Sequence, residues 1–559
     1  MHLAGAAWRS ACANSQSVMP ELVAAAYDSI RSNPADQLDP YTRNWVRNED
    51  VFASEFEANV DLAVQTAALL HDVGHPPFSH ALEGFYSRHL DEIRGRTVND
   101  DLRAFRHPQR TPSFHERAGK IILATIGESD AVANLPWYLA VSILHSWKNT
   151  WVACLHDIVS GEVDVDRIDY LMRDSTKSGT EFGALDVQRL LDSLEIHPAK
   201  EENSQTPWKT GFGLRALSAI EGFLDLRLQY YRWVIFHPHA VAANHILVQA
   251  LEDAATRSLY PNEAGGAWLE RLNYFDSRTG GYRAAPPHYV DDGTIIEVLK
   301  AMRTGVWRPR SRADRTFCCL VDATLDRRAN WAPIWKTEHD YDEVARMLLP
   351  TLIAEFRALE SQLAAGFQRA LADRRLTEEV ERQQQAHTLV SEFVSSVAAA
   401  AYPGAGASGA VNLIAKRLFG ENRPNDRHNK QILLSRYLDN ATSRLRQSRE
   451  LGIPEGTWVV AYEPFDAVRS DHTATEVYDA DEPIQVLQAS ALVFGLQFVE
   501  QRRVSFFVYY LAISGELMRE GRDSLFKREL QDVFMEIFPR VIANLLPSLL
   551  TMESGDSDA

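Results

Sequence analysis

The sequence contains little cysteine. Only four of its 559 residues are cysteine, at positions 12, 154, 318 and 319. Two of the four are adjacent, which suits neither a disulfide framework nor the spacing of a zinc site. This scarcity predicts a protein of a reducing compartment, and we expect a cytoplasmic location.

Positive charge and long apolar runs are also scarce. The chain has 58 Lys and Arg residues against 76 Asp and Glu residues, which gives a formal net charge of −18. Such a surface repels anionic lipid and extended nucleic acid, so we expect neither as a partner. No apolar run reaches the ~18 residues of a membrane span, and the N-terminus lacks a signal-peptide pattern. A pocket of a few arginines for one small polyanion is compatible with this composition.

Apolar residues at helical spacing are what the sequence has in abundance. Segments such as "EANVDLAVQTAALLHD" and "AIEGFLDLRLQYYRWVIF" repeat apolar residues every three to four positions, and this pattern continues to about residue 400. The stretch "YPGAGASGA" at 402–410 is a break. Two strand-like runs, "TWVVAYEPF" and "RRVSFFVYYLAI", and a closing amphipathic helix, "SLFKRELQDVFMEIFPRVIANLL", follow it. The sequence predicts a mainly α fold with a smaller C-terminal α+β segment.

A cluster of histidines begins at the end of one predicted helix, in "ALLHDVGHPPFSH". His71 and Asp72 follow apolar residues, and Gly74 and the prolines after it end the helix. An unpaired carboxylate at the wall of a core costs several kcal/mol. A divalent cation satisfies an imidazole and a carboxylate together. For an isolated dipeptide, a His-Asp pair that caps the helix end is the commoner interpretation.

A second acidic cluster lies in "GEVDVDRIDYLMRD". Spacing of i, i+4, i+7 and i+8 places four of its side chains on one helical face: Asp166, Tyr170, Arg173 and Asp174. Taken alone, acidic residues near a helix start are ordinary capping and dipole compensation.

Together, "HDVGHPPFSH", "FHERAGKIIL" and "DVDRIDYLMRD" resemble the HD-domain superfamily. Within it they resemble the deoxynucleoside triphosphate triphosphohydrolases, which include the bacterial dGTPases and their vertebrate relative. The resemblance covers roughly residues 60–300, through "LRLQYYRWVIFHPHAVAAN" and "HYVDDGTIIEVL". It implies an HD helical bundle over 1–300, incomplete at its N-terminus and with an insertion near 28–55. A helical extension over 301–402 and an α+β segment over 403–559 follow.

The resemblance also implies functional residues. It assigns three metal ligands: His71, Asp72 and Asp166. It assigns five residues to the reaction, as active-site histidines and acid or base groups: His75, His80, Glu83, His115 and Glu116. It assigns four residues to the substrate, the two arginines to phosphates and the other two to deoxyribose: Arg167, Arg227, Tyr170 and Asp174.

The implied reaction is hydrolysis of a deoxynucleoside triphosphate such as dGTP to a deoxynucleoside and intact triphosphate. A divalent metal would serve as cofactor, with Mg, Mn, Fe, Ni and Zn all open. We further expect a homo-oligomer. Arg167, Arg173, Arg227, His237 and His239 are expected to face the pocket and make it locally positive, since guanidinium groups match phosphate oxygens.

The chain departs from the family pattern at its start. The family's first metal-binding His lies in a stretch of the type "RxxHSLGV", ahead of the segment that matches "MHLAGAAW". His2 does not replace it, because a shift of six residues rotates a helical side chain by about 240°. We therefore expect weak metal binding and impaired activity unless an upstream segment supplies that His. Ile235 also stands where relatives commonly have Tyr.

Three functions remain open at this point. The chain could be a triphosphohydrolase that needs an upstream segment, or a catalytically impaired HD protein that binds nucleotide or a partner. It could also be an HD phosphohydrolase of another nucleotide or phosphoester.

Overall fold

The computed structural model describes most of the chain. The described residues are 1–32, 39–89, 114–127, 134–145, 150–180, 184–199, 207–257, 272, 290–305, 309–326, 331–372, 377–400, 406–420, 424–464, 475–479, 482–501, 504–513 and 524–551. Part of the predicted insertion, 33–38, lies outside them.

The first half of the chain is built mainly of helices. Their bounds are α1 His2–Asn14, α2 Met19–Arg31, α3 Pro40–Trp45, α4 Glu49–Leu70, α5 His80–His89, α6 Phe114–Gly127, α7 Leu135–His145, α8 Ala153–Ser160, α9 Val165–Ser178, α10 Val187–Asp192, α11 Leu217–Tyr230 and α12 Pro238–Arg257. A short 3-10 turn, Leu214–Ala216, precedes α11, and a π-helical turn, Tyr231–Ile235, follows it.

Helices also dominate the second half. Their bounds are α13 Asp292–Gly305, α14 Arg312–Leu325, α15 Glu338–Ala372, α16 Thr377–Ala400, α17 Gly406–Phe419, α18 Pro424–Ser448, α19 Val486–Ala489, α20 Ala491–Gln501 and α21 Ser524–Thr551.

The described strands form two small sheets. Their bounds are β1 Leu194–Pro198, β2 Trp208–Gly213, β3 Trp331–Pro333, β4 Gly456–Tyr462, β5 Glu476–Asp479, β6 Glu482–Gln485 and β7 Phe506–Ala512. One sheet has the order β1-β2-β5-β6, in which β2 and β5 are parallel and the outer pairs are antiparallel. The other has the antiparallel order β3-β7-β4. In this sheet the central strand β7 and its neighbour β4 are both buried along their whole length, which suits their continuous apolar sequence.

These helices and strands pack into two hydrophobic cores. The first core is formed by α1–α4, α7–α11, β1 and β2, with apolar residues of β5, α19 and α20 joining it. The second core is formed by α5, α6, α12–α18, β3, β4, β7 and α21. The chain crosses from the first core to the second between α4 and α5, and this crossing is the HD segment.

The closing helix α21 belongs to the second core. Among the described residues, Phe526–Leu550 is the one helix long and apolar enough to cross a membrane, and 61% of its most apolar window is buried inside the protein. It packs against α15, α16 and α18. Its apolar character is accounted for by this burial, as in the core helix of a globular domain.

The predicted fold class is confirmed: the protein is mainly α-helical with a small α+β part. Both strand-like runs are strands, as β4 and β7, and the closing helix is α21. The expectation of helices alone before residue 400 is wrong, because β1, β2 and β3 occur there. The boundaries proposed at 300 and 402 remain predictions. The second core contains residues from both sides of the boundary at 300 and from both sides of the boundary at 402.

Candidate active site

The site begins where α4 ends. His71 follows Leu70 directly, and its Nδ1 lies 3.0 Å from the carbonyl oxygen of Ala68, one turn earlier. A carbonyl oxygen can only accept, so Nδ1 carries the hydrogen and donates it. In the neutral ring, Nε2 would then carry the lone pair. This arrangement is typical of metal-binding histidines, whose second ring nitrogen is fixed by a backbone carbonyl or a carboxylate.

Two carboxylates surround that nitrogen. His71 Nε2 lies 3.2 Å from Asp72 Oδ2 and 3.3 Å from Oδ1 of Asp166, which is in the first turn of α9. One ligand atom from each of the three residues can be chosen so that all lie within 4.8 Å of one another. We call these residues the acidic set. The structure thus brings together the three residues that the sequence predicts as metal ligands, although their role as ligands stays a prediction.

The protonation of the acidic set follows from its geometry. Burial lowers the pKa of His71, but the carboxylates of Asp166 and Asp72 outweigh burial and raise it to about 10. Burial likewise raises the pKa of Asp72, and the neighbouring His71 and His75 rings outweigh burial and hold that pKa far below its usual range. A positive charge is therefore strongly favoured between the two carboxylates, whether a proton or a metal ion supplies it.

The turn after Asp72 is held by a close backbone approach. A Cβ on Gly74 would lie 2.1 Å from the carbonyl oxygen of His115 and 2.3 Å from the amide nitrogen of Gly119, both in α6. No side chain fits in this space. The glycine in "HDVGH" therefore lets the turn touch α6 and brings His75 next to His115.

Four residues after Gly74, the backbone adopts an unusual conformation. Phe78 and Ser79 have φ of 57° and 51°, in the left-handed region that non-glycine residues rarely occupy. The amide of Phe78 donates to Asp292 Oδ1 at 2.7 Å, so the start of α13 fixes this turn. Consecutive left-handed residues cost free energy that the surrounding structure must supply, and such strain concentrates at functional sites.

Three imidazoles meet beyond this turn. His75 stacks on His115 with ring centroids 4.2 Å apart and an interplanar angle of 16°. His80 meets His75 edge-on, with centroids 4.5 Å apart. We call His75, His80 and His115 the histidine set. One ligand atom from each also falls within 4.8 Å of the others.

A buried carboxylate orients two of these rings. Glu83, in the first turn of α5, is 7% exposed. Its Oε1 lies 2.7 Å from His115 Nδ1, and its Oε2 lies 3.3 Å from His80 Nδ1. Burial raises the pKa of Glu83, but His115 and His80 outweigh burial and hold it well below its usual range. Glu83 in turn raises the pKa of His80, whose side chain is 74% exposed.

Asp72 joins the two sets. Its Oδ2 faces His71 at 3.2 Å, while its Oδ1 faces His75 Nε2, also at 3.2 Å. The acidic set is carried by α4 and α9 of the first core, and His80 and His115 are carried by α5 and α6 of the second. The site is therefore built at the junction of the two cores.

The predicted phosphate-binding arginines lie near each other. Arg167 donates from Nη1 to Asp164 Oδ2 at 2.8 Å, and Asp164 caps α9 by accepting from the amide of Arg167 at 2.7 Å. Arg227 of α11 is 5% exposed. Burial raises the pKa of Asp164 to about 6, and both guanidinium groups oppose this increase, so both lie near the N-terminus of α9.

The residues predicted to contact deoxyribose form a tyrosine cluster with one unpredicted member. The ring of Tyr170 lies 5.8 Å from that of Tyr230, and Tyr230 donates to Asp174 Oδ2 at 2.9 Å. Ile235, which stands where relatives have Tyr, is 39% exposed in the π-helical turn. Turns of this kind recur at functional sites.

Other predicted residues lie at the edge of this arrangement. Glu116 is half-buried next to His115, belongs to neither set, and acts electrostatically on His145 of α7. Arg173 is exposed and forms ion pairs with Asp169 and Asp174 along α9.

The two histidines expected at the pocket stack on each other. The ring centroids of His237 and His239 are 5.4 Å apart, and His239 also contacts Trp331.

Sequence reasoning missed the residues that support the site from a distance. Asp292, Tyr230 and His428 reach it through pairings that no local pattern shows. A Cβ on Gly84, next to Glu83, would lie 3.3 Å from Nδ1 of the half-buried His428 in α18. The acidic start of α13 in "DDGTIIEVL" is the one signal that could have suggested Asp292.

The acidic set suits a divalent cation. His71 Nε2 is buried and makes no hydrogen bond of acceptable geometry with the described residues, although two carboxylate oxygens are close. An imidazole and two carboxylates are suitable ligands for several divalent metals. A cation at this position would satisfy the otherwise unpartnered nitrogen and neutralise the carboxylates.

Known proteins offer limited guidance. No family model matches the chain. An uncharacterized protein of Methanocaldococcus jannaschii is 32% identical over 199 residues, which are 36% of this chain and 35% of that protein. An uncharacterized protein of Bacillus subtilis is 31% identical over 194 residues, 34% of this chain and 36% of that protein. The chain thus spans about a third of the length of these relatives.

One solved structure also resembles the chain. A phosphohydrolase from Bacteroides thetaiotaomicron is 20% identical, with a TM-score of 0.32, and the match covers 56% of this chain and 62% of that one. At this TM-score the two structures superimpose too loosely to assign a function.

Proposed function

We propose that this protein is a metal-dependent phosphohydrolase that cleaves a deoxynucleoside triphosphate into a deoxynucleoside and triphosphate. The observation that carries the proposal is the shared carboxylate of Asp72, which lies 3.2 Å from His71 on one side and 3.2 Å from His75 on the other. A candidate cation site is thereby placed directly beside a candidate proton-transfer site. In metal-dependent phosphoester hydrolysis, the two functions can act together on one substrate.

His71, Asp72 and Asp166 would hold the cation. A divalent ion there would act as a Lewis acid and polarise a phosphoryl oxygen. Asp166 comes from a different helix than the other two ligands, so the site depends on the packing of α9 against the end of α4.

The histidine set provides proton transfer. Glu83 raises the pKa of His80, so this ring keeps its proton to higher pH than it would without Glu83, and the exposed ring can reach a substrate. When water adds to the α-phosphorus, the bond from phosphorus to the 5′ oxygen breaks, and His80 gives its proton to that oxygen. His115 donates its Nδ1 hydrogen to Glu83, so its Nε2 is left to accept a proton from the attacking water.

Arginines and tyrosines provide substrate recognition. Arg167 and Arg227 supply positive charge beside the acidic set, where triphosphate oxygens would lie. The Tyr170, Tyr230 and Asp174 cluster offers hydroxyl and carboxylate groups to a sugar. Binding of deoxyribose by this cluster agrees with the resemblance of "DVDRIDYLMRD" to the triphosphohydrolases.

The test is a product assay of the purified chain with each of the four deoxynucleoside triphosphates, in Mg²⁺ or Mn²⁺. We expect equal amounts of deoxynucleoside and triphosphate, with turnover that increases between stoichiometric and excess metal. Release of orthophosphate, or turnover only of other phosphoesters such as p-nitrophenyl phosphate, would replace this proposal by hydrolysis of another substrate. Saturable nucleotide binding without turnover at any metal concentration would favour the catalytically impaired binding protein.

A further inference from the structure

A second polar cavity lies far along the chain from the HD segment. It is enclosed by the N-terminal turn of α14, the C-terminal half of α18 and strands β4 and β7, and its volume is about 210 Å³. The residues that line it are Arg312, Thr442, Ser443, Arg446, Gln447, Glu455, Gly456 and Tyr510. None of them belongs to the candidate active site, and nothing in the proposed reaction uses them.

Two guanidinium groups from different helices face this cavity. Arg312 contacts the hydroxyl of Ser443, donates to the carbonyl oxygen of Gly456 at 3.3 Å, and lies 3.3 Å from Glu455. Arg446 uses a single nitrogen, Nη2, to donate to the carbonyl oxygens of Ile453 and Pro454, each at 2.8 Å. These contacts fix both side chains in place. Because a guanidinium has five N–H groups, Arg446 retains donors beyond these two bonds.

The cavity carries more positive than negative charge. Arg312 and Arg315 share one carboxylate, that of Glu455, with Arg315 Nη2 3.2 Å from it. The bonds described for Arg446 go to neutral carbonyl groups. Burial raises the pKa of Asp439 in α18 to about 7, and the nearby Arg312 guanidinium opposes this increase. Three guanidinium groups therefore exceed the local carboxylates, in a chain whose formal net charge is −18.

The size of the cavity restricts what can occupy it. Sites for drug-sized molecules usually measure about 300–1,000 Å³, so about 210 Å³ is small for a whole nucleotide. It is nonetheless about seven times the ~30 Å³ share of one water molecule. Guanidinium and hydroxyl groups donate hydrogen bonds to phosphate oxygens, and the planar guanidinium group can donate two at once. A compact anion of one or two phosphate groups suits both the volume and the charge.

We propose that this cavity is a binding site for a phosphate-bearing anion, with Arg312, Arg446 and Ser443 as its principal contacts. The site is separate from the candidate active site and does not depend on the reaction assigned there. A diphosphate group could be inorganic or could belong to a nucleotide whose sugar and base extend outside.

The test is calorimetric titration of the full chain with pyrophosphate. EDTA is present throughout, so that the acidic set holds no metal and cannot recruit phosphate through one. We expect saturable binding with one site per chain, weakened at least tenfold by Arg312→Gln. The control is Arg444→Gln, which removes an exposed arginine of α18, the helix that carries Ser443 and Arg446, that does not line the cavity and should leave binding unchanged. Asp166→Asn should also leave binding unchanged, which separates this site from the proposed active site.

A fold measurement and a second ligand complete the experiment. Circular dichroism of Arg312→Gln verifies its fold, and Ser443→Ala replaces it as the test variant if the fold is lost. ADP that binds as tightly as pyrophosphate would identify a nucleotide diphosphate as an accepted ligand, and binding of pyrophosphate alone would identify an inorganic one. Absence of binding, or equal binding by wild type, Arg312→Gln and Ser443→Ala, would overturn the proposal.

Discussion

The acidic set and the histidine set each contain three potential metal ligands within 4.8 Å of one another, yet their geometries differ. In the acidic set, a buried imidazole nitrogen without a well-directed hydrogen bond lies between two carboxylates. In the histidine set, Glu83 already binds two of the three rings. Equal ligand numbers therefore do not make two equal metal sites.

Ring orientation explains the difference further. The lone pair of an imidazole lies in the plane of its ring, and His75 and His115 are stacked almost parallel, at 16°. Their lone pairs consequently lie in neighbouring parallel planes and do not converge on one ion. The stack instead holds the two imidazoles face to face, with ring centroids 4.2 Å apart. This difference supports the acidic set as the proposed cation site and the histidine set as the proposed proton-transfer site.

The largest expected effect comes from removing a ligand of the acidic set. Asp166→Asn should weaken divalent metal binding more than about 100-fold, the upper end of the cost of losing even an outer-shell partner. Hydrolysis should fall to background with it. Asp169→Asn is the matched control, since this residue lies on the same helix, is exposed and pairs only with Arg173 among the described contacts. Calorimetric metal titration together with the product assay measures both effects. Unchanged metal affinity in Asp166→Asn would exclude the acidic set as the cation site.

A change in the histidine set should affect activity alone. Glu83→Gln keeps the shape of the side chain and removes the charge that orients His80 and His115. We expect turnover to fall by about 10²–10⁴-fold, the usual contribution of general acid–base catalysis. Metal affinity should change little. If metal affinity fell in parallel with turnover, the two sets would have to be treated as one site.

A substitution in the turn that joins the two sets should have the next largest effect. Gly74→Ala would push a methyl group into the backbone of α6, which should cost about 1–3 kcal/mol of the free energy of unfolding, as overpacking typically does. It should also separate His75 from His115 and reduce turnover. Gly222→Ala is the control, because a Cβ there meets no atom within 4 Å. Urea unfolding of both variants measures the difference, and equal stability of the two would contradict the close approach.

The smallest expected effect is a displacement of the pH profile. Glu83 raises the pKa of His80, so the protonated acid persists to higher pH and activity is lost as pH rises through that pKa. The Glu83→Gln variant lacks this charge, so the alkaline limb of its residual activity should move to lower pH. The pH dependence of kcat at saturating metal for both proteins measures the displacement. A limb that stays in place, or moves to higher pH, would remove His80 from the role of acid.

Local features of this protein could be predicted from sequence and its long-range pairings could not. The end of α4 at the HD pair follows from the residues beside it, and the apolar runs of β4 and β7 predict buried strands. Strand β2 is different, because it is short and pairs with β5 more than 260 residues later, at Phe212 and Val477. No periodicity within either segment encodes that partner.

The supports of the site illustrate the same limit. Asp292 holds the amide of Phe78 across 214 residues, and Glu252 of α12 binds Arg88 and His89 of α5. Each of these is an ordinary polar residue in its own segment. Asp292 and Glu252 become important through the packing of distant helices around α5, and the residue pattern does not specify that packing. The resemblance identified the residues at the centre of the site, and the structure was needed to show what positions them.

The central claim is that the cation occupies the acidic set and not the histidine set. Crystals of the protein equilibrated with Mn²⁺, and measured at the manganese absorption edge, locate the ion by its anomalous signal. We expect one strong anomalous peak about 2 Å from His71 Nε2 and from a carboxylate oxygen of Asp166, because metal–ligand bonds have about this length. A peak enclosed by His75, His80 and His115, with none beside Asp166, would contradict it.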